Sequence, residues 1–460
     1  METNDTIVAL ATPSGEGGLS VIRISGKNAL PIAKGLFHSK SEIKKKALPV
    51  QKVILGEIQD PESGQVIDEV LFTWFKKPNS YTGEDVVEIS GHGGRLVSNT
   101  LLQLILKQGA RLAEPGEFTR RAFTLGRLDL TQAEAVADLI KAASEKALNS
   151  AISQLKGGLS KRINKLFDQL LEAQAQLEAA IDFSEEGLTF QSRETTTLQI
   201  QKVKKEILFL VKSFQQGKII REGMRVILVG KPNAGKSSLL NALLQEDRAI
   251  VTEIPGTTRD TLEERVRIND IHIVITDSAG LRQNPEIIEG EGIQRTRNSL
   301  EQSDLALVVL DPSRIIDKND ELLMSEVGDK PYFTLLNKSD LDPKWSKEDI
   351  SKSWQGKKTI PISAKTGAGL KNLKEAIYNF AIKEGQEADS IFITKERHRN
   401  HLQQAYIALG SAKKNLDAGL SEELIAVDIN LALEHLGAVI GKTFAEDLLD
   451  KIFGQFCIGK

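Results

Sequence analysis

The placement of proline divides this chain before any motif is read. Six prolines fall between Pro13 and Pro115, none between 116 and 231, seven between Pro232 and Pro361, and none after that. A proline inside a helix removes a backbone hydrogen bond and costs about 3 kcal/mol. The two proline-free stretches are therefore where long helices can form, and their patterns agree. In "LTQAEAVADLIKAASEKALNSAISQL", Ala133, Val136, Ala137, Ile140, Ala143 and Ala147 recur on one stripe at helical spacing. "INKLFDQLLEAQAQLEAAI" and "LIAVDINLALEHLGAVIG" continue the same way. Between these stretches short apolar strands alternate with helices and loops, as in an α/β domain. The spacing thus predicts a helical domain in two halves, with an α/β domain inserted between them.

The first 125 residues differ again. "TIVALAT", "LSVIRISG", "KVILGEI", "EVLFTWF" and "DVVEISGHGG" are short β-type runs punctuated by Gly, Pro, Asn and Asp, and "GGRLVSNTLLQLILKQGAR" reads as an amphipathic helix. This stretch is an α+β domain of its own. A length of 460 residues suits roughly three domains. The expected boundaries are 1–125 for the α+β domain, 126–219 and 383–460 for the two helical parts, and 220–382 for the insert.

Charge and composition exclude several classes. Lys+Arg 60 against Asp+Glu 63 leaves no overall excess of cations, so nucleic acid is not bound by the surface as a whole. The short run Lys44-Lys45-Lys46 reads as a solvated loop. One cysteine allows no internal disulfide, which fits a reducing, cytoplasmic setting. The start "METNDTIVAL" lacks the basic and long apolar regions of a secretory signal, and no apolar run approaches the length of a membrane span.

The strongest chemical signal is "MRVILVGKPNAGKSSLLNALL" (Met224 to Leu244). An apolar strand runs into Gly230-x-x-x-x-Gly235-Lys236-Ser237, followed by a helical pattern. The glycines let backbone N–H groups curl around phosphates, and Lys236 brings charge to the outer ones. Ser237 offers a hydroxyl to Mg²⁺, and the helix N-terminus adds its dipole. "NKSD" (Asn337, Lys338, Ser339, Asp340) follows the strand "YFTLL". A carboxylate at Asp340 can accept from both the N1–H and the amine of guanine, so the expected nucleotide is GTP. "SAK" (Ser363, Ala364, Lys365) after "TIPI" supplies a supporting loop. "DSAG" (Asp277, Ser278, Ala279, Gly280) after "IHIVIT" places a carboxylate near Mg²⁺ and a glycine N–H near the γ-phosphate. Four such elements in this order resemble the translation-factor branch of small GTPases.

Two features narrow that reading. Leu281 stands after Gly280, where Ras-like proteins carry a water-orienting glutamine, so another group must do that work. "PGTTRD" supplies Thr257 and Thr258 in the loop expected to close over the γ-phosphate. The Asn233 side-chain oxygen could ligate a monovalent cation beside the phosphates. A K⁺ there would put positive charge where other GTPases use an arginine finger.

Those motifs, with "DTIVALATPSGEGGLSVIRISG", "GEDVVEISGHGG", "PGEFTRRAF" and the terminal "CIGK", resemble the MnmE (TrmE) family of tRNA-modification GTPases over essentially the whole chain. The resemblance implies a multidomain fold: an N-terminal α+β domain that binds folate and dimerises, a discontinuous helical domain, and an inserted P-loop, Ras-like G domain. It implies a homodimer that works with the flavoprotein MnmG (GidA), in a heterotetramer, on the wobble uridine of certain tRNAs. The carbon would come from a reduced one-carbon folate, either the 5-formyl or the methylene form.

The resemblance also extends the nucleotide contacts. They run over Asn233, Ala234, Gly235, Lys236, Ser237 and Ser238, and over Thr252, Glu253, Ile254, Pro255, Gly256, Thr257 and Thr258. Mg²⁺ would sit on Ser237 and Thr258, and K⁺ on Asn233, Thr252, Ile254 and Thr257. Glu289 would orient the attacking water, with Glu286 and Glu291 as neighbours that could be confused with it. Arg23, Glu88, Arg127 and Lys460 would hold the folate, although the bare sequence reads Arg23 and Glu88 as a strand-edge ion pair. Two positions depart from the family pattern: Ser278 stands where threonine is common, and Arg127 where lysine is expected.

The tail "FGQFCIGK" holds the only cysteine, Cys457. A prenylation box would not end in Lys460 or carry Gly459, so a lipid anchor is rejected. A packing role and an active-site role stay open on the residues alone, and the resemblance favours the second, beside the folate. His398 and His401 lie three apart on an expected helix, but with no third ligand nearby a zinc site is not expected. The competing reading is a ribosome-assembly GTPase acting as an RNA-binding switch. It would need an appended basic module, and none is visible around the G domain.

Overall fold

The computed structural model describes residues 5–13, 15–40, 48–182, 193–247, 263–277, 297–345, 354, 358–382 and 391–460. Two compact units emerge. One comprises Met1–Lys141, Ile152–Lys205 and His401–Lys460, the other Ala142–Ala151 and Glu206–Asn400. Each is assembled from separated pieces of chain, as an insertion requires.

The first unit begins with a seven-stranded sheet of order β3-β4-β5-β6-β2-β1-β7. Its strands are β1 (Thr6–Leu10), β2 (Gly17–Gly26), β3 (Phe37–Ser39), β4 (Val53–Gln59), β5 (Val66–Phe75), β6 (Val86–Gly93) and β7 (Arg111–Leu112). All pairs are antiparallel except β1 with β7. Period-2 alternation drives Ile22, Ile24, Val70, Phe72, Val87 and Ile89 to one face. There they meet α1 (Ala29–Leu36) and α2 (Arg95–Lys107) in a single core. Helix α1, which carries Pro31, is not among the elements that the sequence pattern predicts. The proline lies in the first turn, where its missing N–H has no helical partner to lose.

Three short helices follow: α3 (Glu117–Thr124), α4 (Leu130–Lys141) and α5 (Glu145–Leu155). The expected continuous helix across 130–155 is in fact α4 and α5. Ser144 makes the break, because its Oγ accepts from the Ala147 N–H at 3.1 Å as an N-cap does. The long helices α6 (Gly158–Asp182) and α7 (Arg193–Glu222) come next. After the insert come the helices Glu396–Asp417, Glu422–Ile440 and Glu446–Phe453. Helix Glu422–Ile440 packs along α6, and the last helix packs on α3. Among the described residues no helix is long and apolar enough to cross a membrane.

The second unit holds a six-stranded sheet of order β13-β12-β11-β8-β10-β9. The strands are β8 (Met224–Val229), β9 (Glu263–Ile268), β10 (Ile271–Asp277), β11 (Leu305–Leu310), β12 (Tyr332–Leu336) and β13 (Lys358–Pro361). Only β9 runs antiparallel to its neighbour. β11 and β12 are buried at every residue, as strands covered on both faces must be. The helices Lys236–Asp247 (α8), Lys318–Val327 and Leu370–Ala381 belong to this unit. The result is a doubly wound α/β domain inserted into a helical one, as the sequence predicts.

Candidate functional site

The chain leaves β8 at the point where the order of the inserted sheet reverses, with β10 on one side and β11 on the other. In open parallel sheets ligands bind at that crevice, beyond the carboxyl ends of the strands. The loop 230–235 begins there. Asn233 (φ 65°) and Gly235 (φ 95°) take left-handed backbone, which helps turn successive N–H groups inward as a nest for anions. A Cβ at position 235 would lie 2.2 Å from Asn337 Nδ2, so the loop closes on its neighbour only with glycine there. Lys236 Nζ donates to the carbonyls of Gly230 (2.7 Å) and Lys231 (2.9 Å), which pins the ammonium within the loop. Ser237 Oγ donates to Asp277 Oδ2 at 3.0 Å. A hydroxyl and a carboxylate are thus side by side, the oxygen donors that suit Mg²⁺ shared with phosphates.

Two further loops join the phosphate loop. Asn337 is buried, its Nδ2 donates to the Ala234 carbonyl (2.8 Å), and its Oδ1 accepts from the Ala364 N–H (3.0 Å). One amide therefore ties the phosphate loop, the "NKSD" loop and the "SAK" loop. Asp340 is exposed, and its Oδ1 accepts from Ser363 Oγ at 2.6 Å. That bond above all holds its carboxyl below the usual range, so at neutral pH it only accepts hydrogen bonds. The Ser339 N–H donates to the Ile362 carbonyl (3.0 Å), and Lys365 is exposed.

Sequence reading missed the supports of this site. Lys338 pairs with Asp311, just past β11. Lys231 pairs with Asp317 (2.8 Å) and Asp320 (2.5 Å), the two acids of the capping box on helix Lys318–Val327. Lys231, Asp311, Asp317 and Asp320, with Asn233, Arg314 and Trp345, line a cleft of about 200 Å³ beside the phosphate loop. The Asp-x-x-Asp spacing of 317 and 320 was the available signal. Thr252 to Thr258, Ser278 to Gly280, Leu281 and Glu289 lie outside the described residues.

A second cluster lies in the first unit. Arg23 and Glu88 face each other across β2 and β6, with Arg23 Nε 2.8 Å from Glu88 Oε1. They are an ion pair, as read, but on interior strands rather than an edge. The guanidinium also lies over the rings of Tyr81 (5.2 Å) and Phe118 (5.8 Å). Its Nη1 donates to the Gly459 carbonyl at 3.2 Å, so the tail reaches this pair. Gly459 has φ 95°, and a Cβ on it would sit 2.4 Å from the Leu10 carbonyl oxygen. Cys457 is exposed rather than packed, and its carbonyl accepts from the Lys460 N–H (3.3 Å). Arg127 is exposed on the turn after α3, and no described contact joins it to Arg23 or Glu88. In the helical part, His401 Nδ1 lies 3.3 Å from His435 Nδ1, a partner that sequence spacing could not reveal.

Comparison with known proteins decides the family. Residues 6–127 match the family described as the GTP-binding protein TrmE N-terminus, and residues 130–457 match the MnmE helical domain. This chain belongs to the MnmE (TrmE) family. MnmE-family relatives agree along their full length. The protein named tRNA modification GTPase MnmE from Natranaerobius thermophilus is 45% identical over 100% of both chains. Those of Acetivibrio thermocellus and Syntrophus aciditrophicus are 40% and 43% identical, covering 100% and 99% of each chain. Among solved structures, an Era crystal structure from Aquifex aeolicus is 26% identical, covers 40% of this chain and 66% of its own, and has a TM-score of 0.26. The MnmE-family assignment accounts for both clusters: a GTPase site in the insert, and an N-terminal domain joined by the tail.

Proposed function

We propose that this chain hydrolyses GTP and, with the flavoprotein MnmG (GidA), adds an aminomethyl or carboxymethylaminomethyl group at C5 of the wobble uridine of certain tRNAs. The carbon donor is a reduced one-carbon folate. The observation that carries the nucleotide half is Asn337, which gathers phosphate, base and supporting loops into one pocket. The folate half is supported by Arg23 and Glu88 beside the tail. A carboxylate suits the N–H-rich pterin edge, and a guanidinium suits the carboxylates of the glutamate tail. Lys460 and Arg127 add cations for the same ligand, and the exposed Cys457 thiol acts at this site. In this reading 1–125 binds folate and holds a homodimer, 126–219 with 383–460 forms the helical domain, and 220–382 is the G domain.

The metals belong to the same reading. Ser237 and Asp277 suit Mg²⁺ directly, with Thr258 completing the set. Asn233, with Thr252, Ile254 and Thr257, holds K⁺ against the phosphates, and Glu289 orients water in place of the glutamine that Leu281 displaces. GTP turnover in K⁺ should then exceed that in Na⁺ by at least about tenfold, since the cation does the work of an arginine finger. Asn233→Ala should lose most of the difference while keeping nucleotide affinity. Equal initial rates in the two salts would sink the cation site.

The whole reading is tested by mass spectrometry of wobble uridines in tRNA from a strain lacking this protein. Unmodified uridine, restored by a plasmid copy, is the expected result. Fully modified uridine in every tRNA of the deleted strain would overturn it.

A further inference from the structure

With Lys+Arg 60 against Asp+Glu 63, a surface of one sign departs from the average of this chain. Two helical runs in the first unit make such a surface. Thr195 to Lys205 on α7 ("TTTLQIQKVKK") and His401 to Leu416 on helix Glu396–Asp417 hold no Asp or Glu. At the frequency of the whole chain the two runs would hold about four acids. They hold Lys202, Lys204, Lys205, Lys413 and Lys414 instead.

The runs are neighbours in space, since Lys204 Nζ lies 4.5 Å from the ring centroid of Tyr406. Lys202, Lys205 and Lys414 are exposed, as are Gln201, Gln403 and Ser411. Acids also stand at the border: Glu194 and Glu206 flank the α7 run, and Asp417 follows the second run. Asp417 takes Lys413 (2.5 Å), Asp428 accepts from Asn415 (2.8 Å), and Glu422 takes Arg193 (2.7 Å). Within the two runs the exposed charges are therefore all cations, with amides and a hydroxyl set among them.

We propose that this face, α7 with helix Glu396–Asp417, docks the phosphate backbone of the tRNA substrate, an inference that rests on the tRNA-modification reading. Lysines neutralise phosphates as mobile point charges, and glutamine and serine side chains hydrogen-bond phosphate and ribose 2′-hydroxyl oxygens. The face reads RNA shape and charge rather than sequence, which suits an enzyme acting on several tRNAs. It does not suit a membrane: Leu198 and Ile407 are exposed, but an interfacial helix needs a whole apolar face.

The test is titration of a tRNA transcript with the full-length protein at several salt concentrations. Replacing Lys202, Lys205 and Lys414 together by glutamine should weaken binding at low salt by about tenfold or more. It should also make the slope of log K against log salt shallower by about 2, since each lost phosphate contact removes roughly 0.7–0.9. GTP hydrolysis without tRNA should not change, and arginine at the same three positions should keep binding. Lys161→Gln with Lys165→Gln, exposed on α6, is the control and should bind as the parent does. A triple glutamine variant with parental affinity and slope overturns the docking face, as does a control that weakens equally. A parent protein with no measurable tRNA affinity overturns the tRNA reading itself.

Discussion

Asp340→Asn is expected to lower GTP affinity by about 10³-fold or more and to create affinity for xanthosine triphosphate. Guanine presents two donors on this edge, N1–H and the amine at C2, and a carboxylate accepts both. The bond from Ser363 Oγ keeps Asp340 ionised and aimed, so the pair of acceptors is preorganised. Asparagine sets an NH₂ against one of those donors, so two donors face each other and neither is satisfied. Sites built to hydrogen-bond a ligand reject a mismatch of this kind by about 10⁴–10⁵. Xanthine carries an oxygen at C2 and so restores the missing acceptor. The Ser363 bond survives, because the asparagine carbonyl can still accept. Competition titration against a fluorescent guanine nucleotide measures the change. A variant that kept GTP affinity within about threefold would remove Asp340 from base recognition.

The second large effect belongs to the tail. Cys457→Ser should leave folding and GTP hydrolysis near the parent level and lower tRNA modification by at least about tenfold. The thiol is exposed, so the exchange removes no packing, and surface changes of this size stay within about 0.5 kcal/mol. What the exchange removes is a nucleophile, since a hydroxyl is far less reactive than a thiol at neutral pH. Gly459→Ala separates reactivity from position. Its Cβ would meet the Leu10 oxygen at 2.4 Å, so the tail must leave Arg23 while the thiol stays intact. Both variants should lose modification, the second through placement alone. Normal modification by the serine variant would make Cys457 a bystander.

What the sequence disclosed follows the range of the forces involved. The phosphate loop, the base loop and the long helices are written in contiguous residues, where period and glycine placement act locally. The break between α4 and α5 was hidden because Ser144 caps through a single side-chain oxygen, with no proline or glycine to mark it. Helix α1 was hidden for the opposite reason, a proline in a position that tolerates one. Arg23 and Glu88 were legible as a pair, since each sits in an alternating strand. Their third partner, the Gly459 carbonyl, is 436 positions away from Arg23 in the chain and left no local trace. Lys231 likewise meets Asp317 and Asp320 only once the sheet is formed.

The double tie at Asn337 bears on how such a site can change over generations. One amide supports the phosphate loop through Ala234 and the "SAK" loop through Ala364. Substitutions in any of the three loops act through this shared support, so their effects should not add. A lineage drifting toward another base would disturb phosphate binding at each step, and compensation would have to arise in a different loop. Guanine specificity in this fold is therefore inherited as a block, and single substitutions tried in one relative need not transfer to another.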